Sequence, residues 1–287
     1  MSLAEVMMSL EIGLIYGIIA VGIYLTFRII DFPDLTCDGS FVFGAAVSSV
    51  LIKMGHNPWI CLICAFIAGI LAGSFTGILY TRFKITNLLS GILVGFMLYS
   101  VNLHVMGGLP NIALMVSGTI FHQTSTLLIL SLIALGVCGF VGYLLMTDFG
   151  LALRSTGQNK RLSQNSGVNI QAMTITGLAL SNGLIALGGA LFSQTQGFAD
   201  IGSGTGTVIV GLASVMIGER IFPHRSIFIQ VISCIAGSII YRLLISLALH
   251  SDALGLQTFD LNLITGLMVI LIMYIPMGSK ARQHAHS

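Results

Sequence analysis

Charge is scarce in this sequence. Only 8% of the 287 residues are Asp, Glu, Lys or Arg, where a soluble domain carries roughly 25%. A further 55% are apolar, so the chain cannot solvate a water-facing surface of its own size, and lipid is the expected solvent. The net charge of +2 is too small to hold a nucleic acid, and none is expected as a partner. Cysteine is present five times but makes no disulfide framework, because Cys37, Cys61, Cys64, Cys138 and Cys234 sit almost entirely inside apolar runs. The C-x-x-C of Cys61 and Cys64 has no His and no second Cys pair beside it, so it reads as helix filler and not as a redox or metal site. Catalytic motifs are missing too. There is no Gly-x-x-x-x-Gly-Lys-Ser/Thr, no His-Glu-x-x-His and no Gly-x-Ser-x-Gly, which excludes a phosphate-binding loop on this chain and argues against hydrolytic or metal chemistry. The seven histidines are scattered, with His284 and His286 in a polar tail. The chain is therefore expected to be no enzyme, with no catalytic residue, no metal and no cofactor of its own. The start lacks a Lys/Arg-rich segment ahead of its first apolar run and reads as a retained span, not a leader.

What is there is a succession of apolar runs. A bilayer core of about 30 Å needs about 20 residues of helix. On that measure the candidate spans are 6–27, 39–54, 59–81, 88–106, 125–147, 170–194, 205–218, 226–248 and 258–276. The expected fold is an all-α integral membrane bundle of about nine helices, with a range of eight to ten, forming a single domain over 1–287. The 34 glycines fit this, since small residues let membrane helices approach closely. Nine alternating spans place Arg28, Arg82, Lys84, Arg154, Lys160, Arg161, Arg220, Arg225, Lys280 and Arg282 on one side and leave only Lys53 on the other, with Arg242 inside a span. By the positive-inside rule, the 148–169 loop and the 277–287 tail are cytoplasmic and the N-terminus is external.

Three segments break the apolar pattern. Asp31–Ser40 holds three carboxylates, Pro33 and Gly39 between two spans. Pro33 disfavours helix at Phe32, and Asp38 suits the N-cap of the helix that follows. The segment reads either as a capped surface loop or as a broken helix lining a polar cavity, since irregular backbone at membrane depth is tolerated only beside protein or water. Ile201–Thr207 alternates glycine with Ser and Thr, as a re-entrant turn or a close helix crossing does. Gly39–Ala46 also echoes Gly206–Ala213, in spans expected to run in opposite directions; inverted repeats of this kind occur in transporters. The third segment, 148–169, carries the densest cluster of basic and amide side chains. Thr156 reads as a helix N-cap and Gly167 as the residue just past the helix end, with Arg154, Gln158 and Arg161 presented to a partner.

This third segment resembles the coupling loop of permeases of the branched-chain amino acid and simple-sugar importer family, which runs Gly-x-x-x-Arg-Ala-x-Gly-x-Asn-x-x-x-Ala-x-x-x-Gly-Ile. Gly150, Arg154, Gly157, Asn159 and Gly167 match it; the alanine after the asparagine is replaced, and Val168 stands for Ile. Gly183–Gln196 and Gly13–Asp38 also agree with the family. Phe32–Ser40 resembles a branch linked with tryptophan-type amino acid uptake. The resemblance implies a type II importer-like permease in the bacterial cytoplasmic (inner) membrane, moving a small polar solute, an amino acid or a related compound, inward by alternating access. Its implied partners are a second permease copy, two ATPase subunits that bind the ATP and Mg, an external solute-binding protein and membrane lipid. By the same resemblance, Arg154, Ser155, Gly157, Gln158, Asn159, Arg161 and Gly167 couple the chain to the ATPase. For the translocation pathway the candidates are Asp34, Thr36, Asp38, Ser40, Asn87, Ser90, Asn182, Gln194 and Gln196, because polar side chains in a membrane face inward. The competing expectation is an ion-coupled secondary transporter using Asp34 and Asp38.

Overall fold

A computed structural model of the chain describes residues 3–114, 119–122, 125–223, 226–249, 263, 265–267 and 270. The first helix, α1 (Leu3–Tyr24), runs on into one π-helical turn, Leu25–Ile29. Then follow α2 (Thr36–Lys53), α3 (Pro58–Thr81), α4 (Asn87–Val105), a short strand β1 (Asn111–Ala113) and α5 (Thr126–Met146). After these come α6 (Asp148–Gln158), α7 (Lys160–Asn165), α8 (Ile170–Gln196), strand β2 (Phe198–Asp200), α9 (Thr207–Ile221) and α10 (Ile227–Leu249).

Eight of the nine expected spans fall on helices. Among the described residues only six helices are long and apolar enough to cross a membrane. The two that fall short are α2, with Asp38, Ser40, Ser48, Ser49 and Lys53 along it, and α9, with 15 residues. The ninth span, 258–276, lies mostly outside the described residues, as does the 277–287 tail. Nine crossings are thus not established, whereas a multi-pass helical membrane protein is.

Glycine sets the contact between α3 and α8. Gly69, Gly73 and Gly77 recur every four residues on α3, and a Cβ on each would collide with α8 at Asn182, Leu178 and Ile175 in turn. That spacing is the small-residue packing of membrane helices, where close backbone approach replaces the missing hydrophobic drive. The opposite face of α3 exposes Ile60, Ile63, Ile67, Leu71, Phe75 and Ile78, the apolar stripe that lipid requires. The start of α3 is fixed locally: Asn57 Oδ1 accepts from Trp59 N at 3.0 Å, and Pro58, which has no N–H to leave unpaired, sits in the first turn. Antiparallel pairing of β1 with β2 ties the segment after α4 to the end of α8.

The basic end of the molecule is brought together by contacts. Arg28 forms an ion pair with Glu219 near the end of α9. Lys160 Nζ donates to Tyr80 Oη at 3.1 Å, which places α7 beside the end of α3 and its following Arg82 and Lys84. Lys53 ends α2, whose Ser48 accepts from Gln194 at the far end of α8.

Candidate functional site

The break between α1 and α2 is where sequence and membrane conflict most. Approaching Pro33, α1 loosens: Ile30 N reaches Leu25 O at 3.1 Å, and Phe32 N reaches Thr26 O at 2.9 Å. Asp31 then takes a left-handed φ of 56°, a conformation that a short polar side chain tolerates better than most. The chain re-enters helix at Thr36 and not at Gly39. Asp38 is therefore not the cap of its own helix, as its sequence position implies, but lies in the first turn of α2. The first N–H of α2 is satisfied from outside the helix by Asp34, whose Oδ1 accepts from Thr36 N at 2.9 Å.

Four of the pathway candidates converge here. Asn182, fully buried on α8, donates from Nδ2 to Asp34 Oδ2 at 2.6 Å and to its own helix at Leu178 O at 3.0 Å. Its Oδ1 accepts from Ser40 Oγ at 2.7 Å. Thr36 Oγ1 lies 2.8 Å from Thr76 Oγ1 on α3. Asp34, Thr36, Ser40 and Asn182 thus form one buried, hydrogen-bonded cluster that joins the break to α3 and α8. Thr76 belongs to it and went unread in the sequence; its only signal was a hydroxyl next to Gly77 and one helical turn from Gly73.

Asp38 works across helices. Its Oδ1 accepts from Val208 N at 3.0 Å and its Oδ2 from Gly206 N at 3.2 Å, so it caps α9. A carboxylate at a helix N-terminus meets both the free amides and the positive end of the helix dipole. The two echoing segments, Gly39–Ala46 and Gly206–Ala213, lie in the first turns of α2 and α9. Those turns meet at Asp38, after which α2 runs toward Gln194 and α9 toward Arg28.

The remaining candidates lie elsewhere. Asn87 opens α4 and Ser90 Oγ donates to its carbonyl at 2.7 Å. Gln194 accepts from Ile120 N at 3.3 Å and donates to Ser48 Oγ at 3.1 Å, beside a cavity of about 600 Å³ bordered by Pro58, Ile120 and Ile133. Gln196 is the half-buried last residue of α8.

The 148–169 segment is two short helices and not one. Thr147, not Thr156, caps α6, accepting from Gly150 N at 3.4 Å; Thr156 is buried inside α6, its hydroxyl donating to Ala152 O at 2.8 Å. Asn159 breaks the run and caps α7 through Leu162 N at 3.0 Å. Gly167 follows α7 with φ +83°, and Val168 N returns to Ser163 O at 3.0 Å while Gly167 N returns to Gln164 O at 3.1 Å. Such a paired closure is the Schellman motif, so Gly167 stands where the sequence reading put it. Gln158, Asn159 and Arg161 are exposed, and Ser155 lines a shallow groove with Leu151 and Leu162. Arg154 points differently. It is half-buried and lines a polar cavity of about 350 Å³ with Tyr24, Arg28, Gln158, Glu219 and Gln230. Gly157 marks the closest approach in this region: a Cβ there would run into the carbonyl oxygen of Ile29, in the π-helical turn.

A protein-family model described as the branched-chain amino acid transport system permease component matches residues 6–275. A tyrosine transport system permease protein of Clostridioides difficile (strain R20291) is 39% identical over 259 residues, 90% of this chain and 86% of its own. An uncharacterised protein of Rickettsia prowazekii (strain Madrid E) is 36% identical over 282 residues, 96% and 97% of the two chains. The autoinducer 2 import system permease protein LsrC of Escherichia coli O9:H4 (strain HS) is 27% identical over 180 residues, 61% and 52% of the two chains. No solved structure matches the chain. The glycine-packed helical bundle, the polar break inside it and the short amphipathic helices at its basic end agree with what these matches say: the chain belongs to the branched-chain amino acid transport system permease family.

Proposed function

We propose that this chain is the membrane-spanning subunit of an ATP-driven importer in the bacterial cytoplasmic membrane, moving an amino acid or a related small polar solute inward. It works as a dimer with a second permease copy, two separate ATPase subunits and an external solute-binding protein. The relative named as a tyrosine transport permease favours an amino acid as the solute. The α6–α7 segment faces the cytoplasm and docks on the ATPase, presenting Gln158, Asn159 and Arg161.

One observation carries this reading: Gly157 of α6 lies against the backbone of the π-helical turn at Ile29, a few residues before the Asp34 cluster. A displacement of α6 reaches the broken helix through direct contact, without a long chain of intermediates. Arg154 then acts inside the protein, between α6 and the Arg28–Glu219 pair, and not on the ATPase surface. The opposed first turns of α2 and α9 at Asp38 support an inverted-repeat arrangement, in which access alternates by rocking one unit against the other.

The ion-coupled alternative has less support. Both Asp34 oxygens and both Asp38 oxygens already accept hydrogen bonds within the protein. The two readings part in membrane vesicles holding the permease, its ATPase and external binding protein, with ion gradients collapsed. Solute uptake is expected to continue under these conditions and to stop when ATP is withdrawn. Uptake that dies with the gradient and ignores ATP would overturn the proposal.

A further inference from the structure

The polar cavity of about 350 Å³ at the basic end holds charged groups that the fold itself leaves unused. Five elements wall it: Tyr24 ends α1, Arg28 belongs to the π-helical turn, Arg154 to α6, Glu219 to α9 and Gln230 to α10. Its volume falls within the range of small-molecule sites, about 300–1,000 Å³. Some of its polar atoms are already engaged. Tyr24 Oη donates to Gln230 Oε1 at 2.7 Å, and Arg28 donates to Glu219 Oε2 in their ion pair.

Two charged groups of opposite sign stay open to the cavity. Half-buried Arg154 reaches only its own helix, where Nε donates to Gly150 O at 3.4 Å. Among the described residues its two terminal nitrogens have no acceptor and its guanidinium makes no ion pair. Glu219 Oε1 likewise has no hydrogen-bond donor among them. Leaving such groups half-buried and unmatched is unfavourable. The cavity is also a seam. Gly157 packs α6 on the carbonyl of Ile29, yet among the described residues no hydrogen bond or ion pair crosses from α6 to α9 or α10.

We propose that this cavity is a regulatory site for a free α-amino acid, separate from the Asp34 cluster, and that its occupant ties α6 to α9. Arg154 takes the α-carboxylate, whose two oxygens suit the guanidinium fork. Glu219 Oε1 takes the ammonium. A plain anion satisfies Arg154 but meets the Glu219 carboxylate as a repulsion, whereas a zwitterion engages both. With α6 held in this way, the state in which it is packed on the π-helical turn is favoured over any displaced one. Amino acid accumulating in the cytoplasm thereby slows the transporter. This site rests on the permease reading and adds to it feedback by the imported class of solute.

The test has two readouts. Equilibrium dialysis measures binding of radiolabelled L-tyrosine and L-leucine to the permease with its ATPase, without the external binding protein. ATP turnover of the complete assembly in vesicles is then followed as the same amino acids are added on the ATPase side. At least one is expected to bind saturably and to lower turnover. Arg154→Gln and Glu219→Gln are each expected to raise its half-saturating concentration about tenfold, since each removes one charge-assisted contact. Competitors separate recognition from folding. Arg154→Gln is expected to erase the advantage of the amino acid over the matching amine, which lacks the carboxylate. Glu219→Gln is expected to erase its advantage over the matching acid, which lacks the amine. Binding with both advantages unchanged in the two variants would overturn the site, as would inorganic phosphate competing as well as the amino acid. ATP-dependent uptake by an assembly that binds neither amino acid in dialysis would overturn the site and leave the permease reading standing. Uptake indifferent to ATP, with binding shifting as expected in the variants, would do the reverse.

Discussion

Asn182 is the side chain on which the interior of this protein turns. Both of its donors and its acceptor are engaged, and one partner is the fully buried Asp34. Shortening Asn182 to Ala leaves Asp34 Oδ2 without its donor, and leaving a buried polar group unpaired costs about 1–3 kcal/mol, more where the group is charged. Thr76→Val removes one hydroxyl pair, for which the average in membrane proteins is about 0.6 kcal/mol. Thermal unfolding in detergent is expected to show a clear fall in Tm for Asn182→Ala and a small one for Thr76→Val; equal falls would contradict the hub role. The carboxylates nearby rank just as sharply. Asp38→Ala strips two α9 amides of their acceptor, a loss of about 1–2 kcal/mol for a helix cap, and is expected to impair uptake. Asp31 is exposed at φ 56°, a backbone that glycine adopts freely. Asp31→Gly is expected to leave both stability and uptake near wild type.

At the scale of elements, the contact between α6 and the π-helical turn matters most. Any side chain at Gly157 must push that turn away, since even a Cβ meets the Ile29 carbonyl. Gly157→Ala is therefore expected to lower solute-dependent ATP turnover severalfold in the assembled transporter. A bulkier Trp at this position is expected to disturb folding as well, where the loop motif by itself implies only a lost docking surface. Arg154→Glu reverses the charge balance beside Arg28 and Glu219 and is expected to uncouple ATP hydrolysis from uptake while the chain still inserts. Turnover and uptake at wild-type level in both Gly157→Ala and Arg154→Glu would remove the coupling role of α6. Asn159 explains why this segment is two helices: its side chain closes the first turn of α7 at 3.0 Å, and a backbone committed to that cap cannot also continue α6.

For the whole molecule, contacts gather Arg28, Arg82, Lys84, Arg154, Lys160, Arg161 and Arg220 at one end of the bundle. In a membrane that end is expected to be cytoplasmic. Single cysteines at Gln158 or Arg161, in a background without the native five, are expected to react with an impermeant thiol reagent only from the cytoplasmic side. One at Lys53 is expected to react only from the outside. Labelling of both positions from the same side would refute this orientation.

Much of this architecture was legible in the residues. Run lengths near 20, scarce charge and abundant glycine determine a membrane bundle, because each follows from transfer energies and from the reach of a helix. The Gly167 closure and the interruption at Pro33 were equally readable, since both are local backbone effects that act within a few residues. The partners of the polar side chains were not. Asp38 caps α9, which begins 169 positions later, and Arg154 turns inward toward Arg28 and Glu219. Which amide a carboxylate reaches across helices depends on how the helices are rotated and offset against one another. That arrangement comes from the packing of glycine faces such as Gly69, Gly73 and Gly77 on α8, and only the tertiary structure decides it.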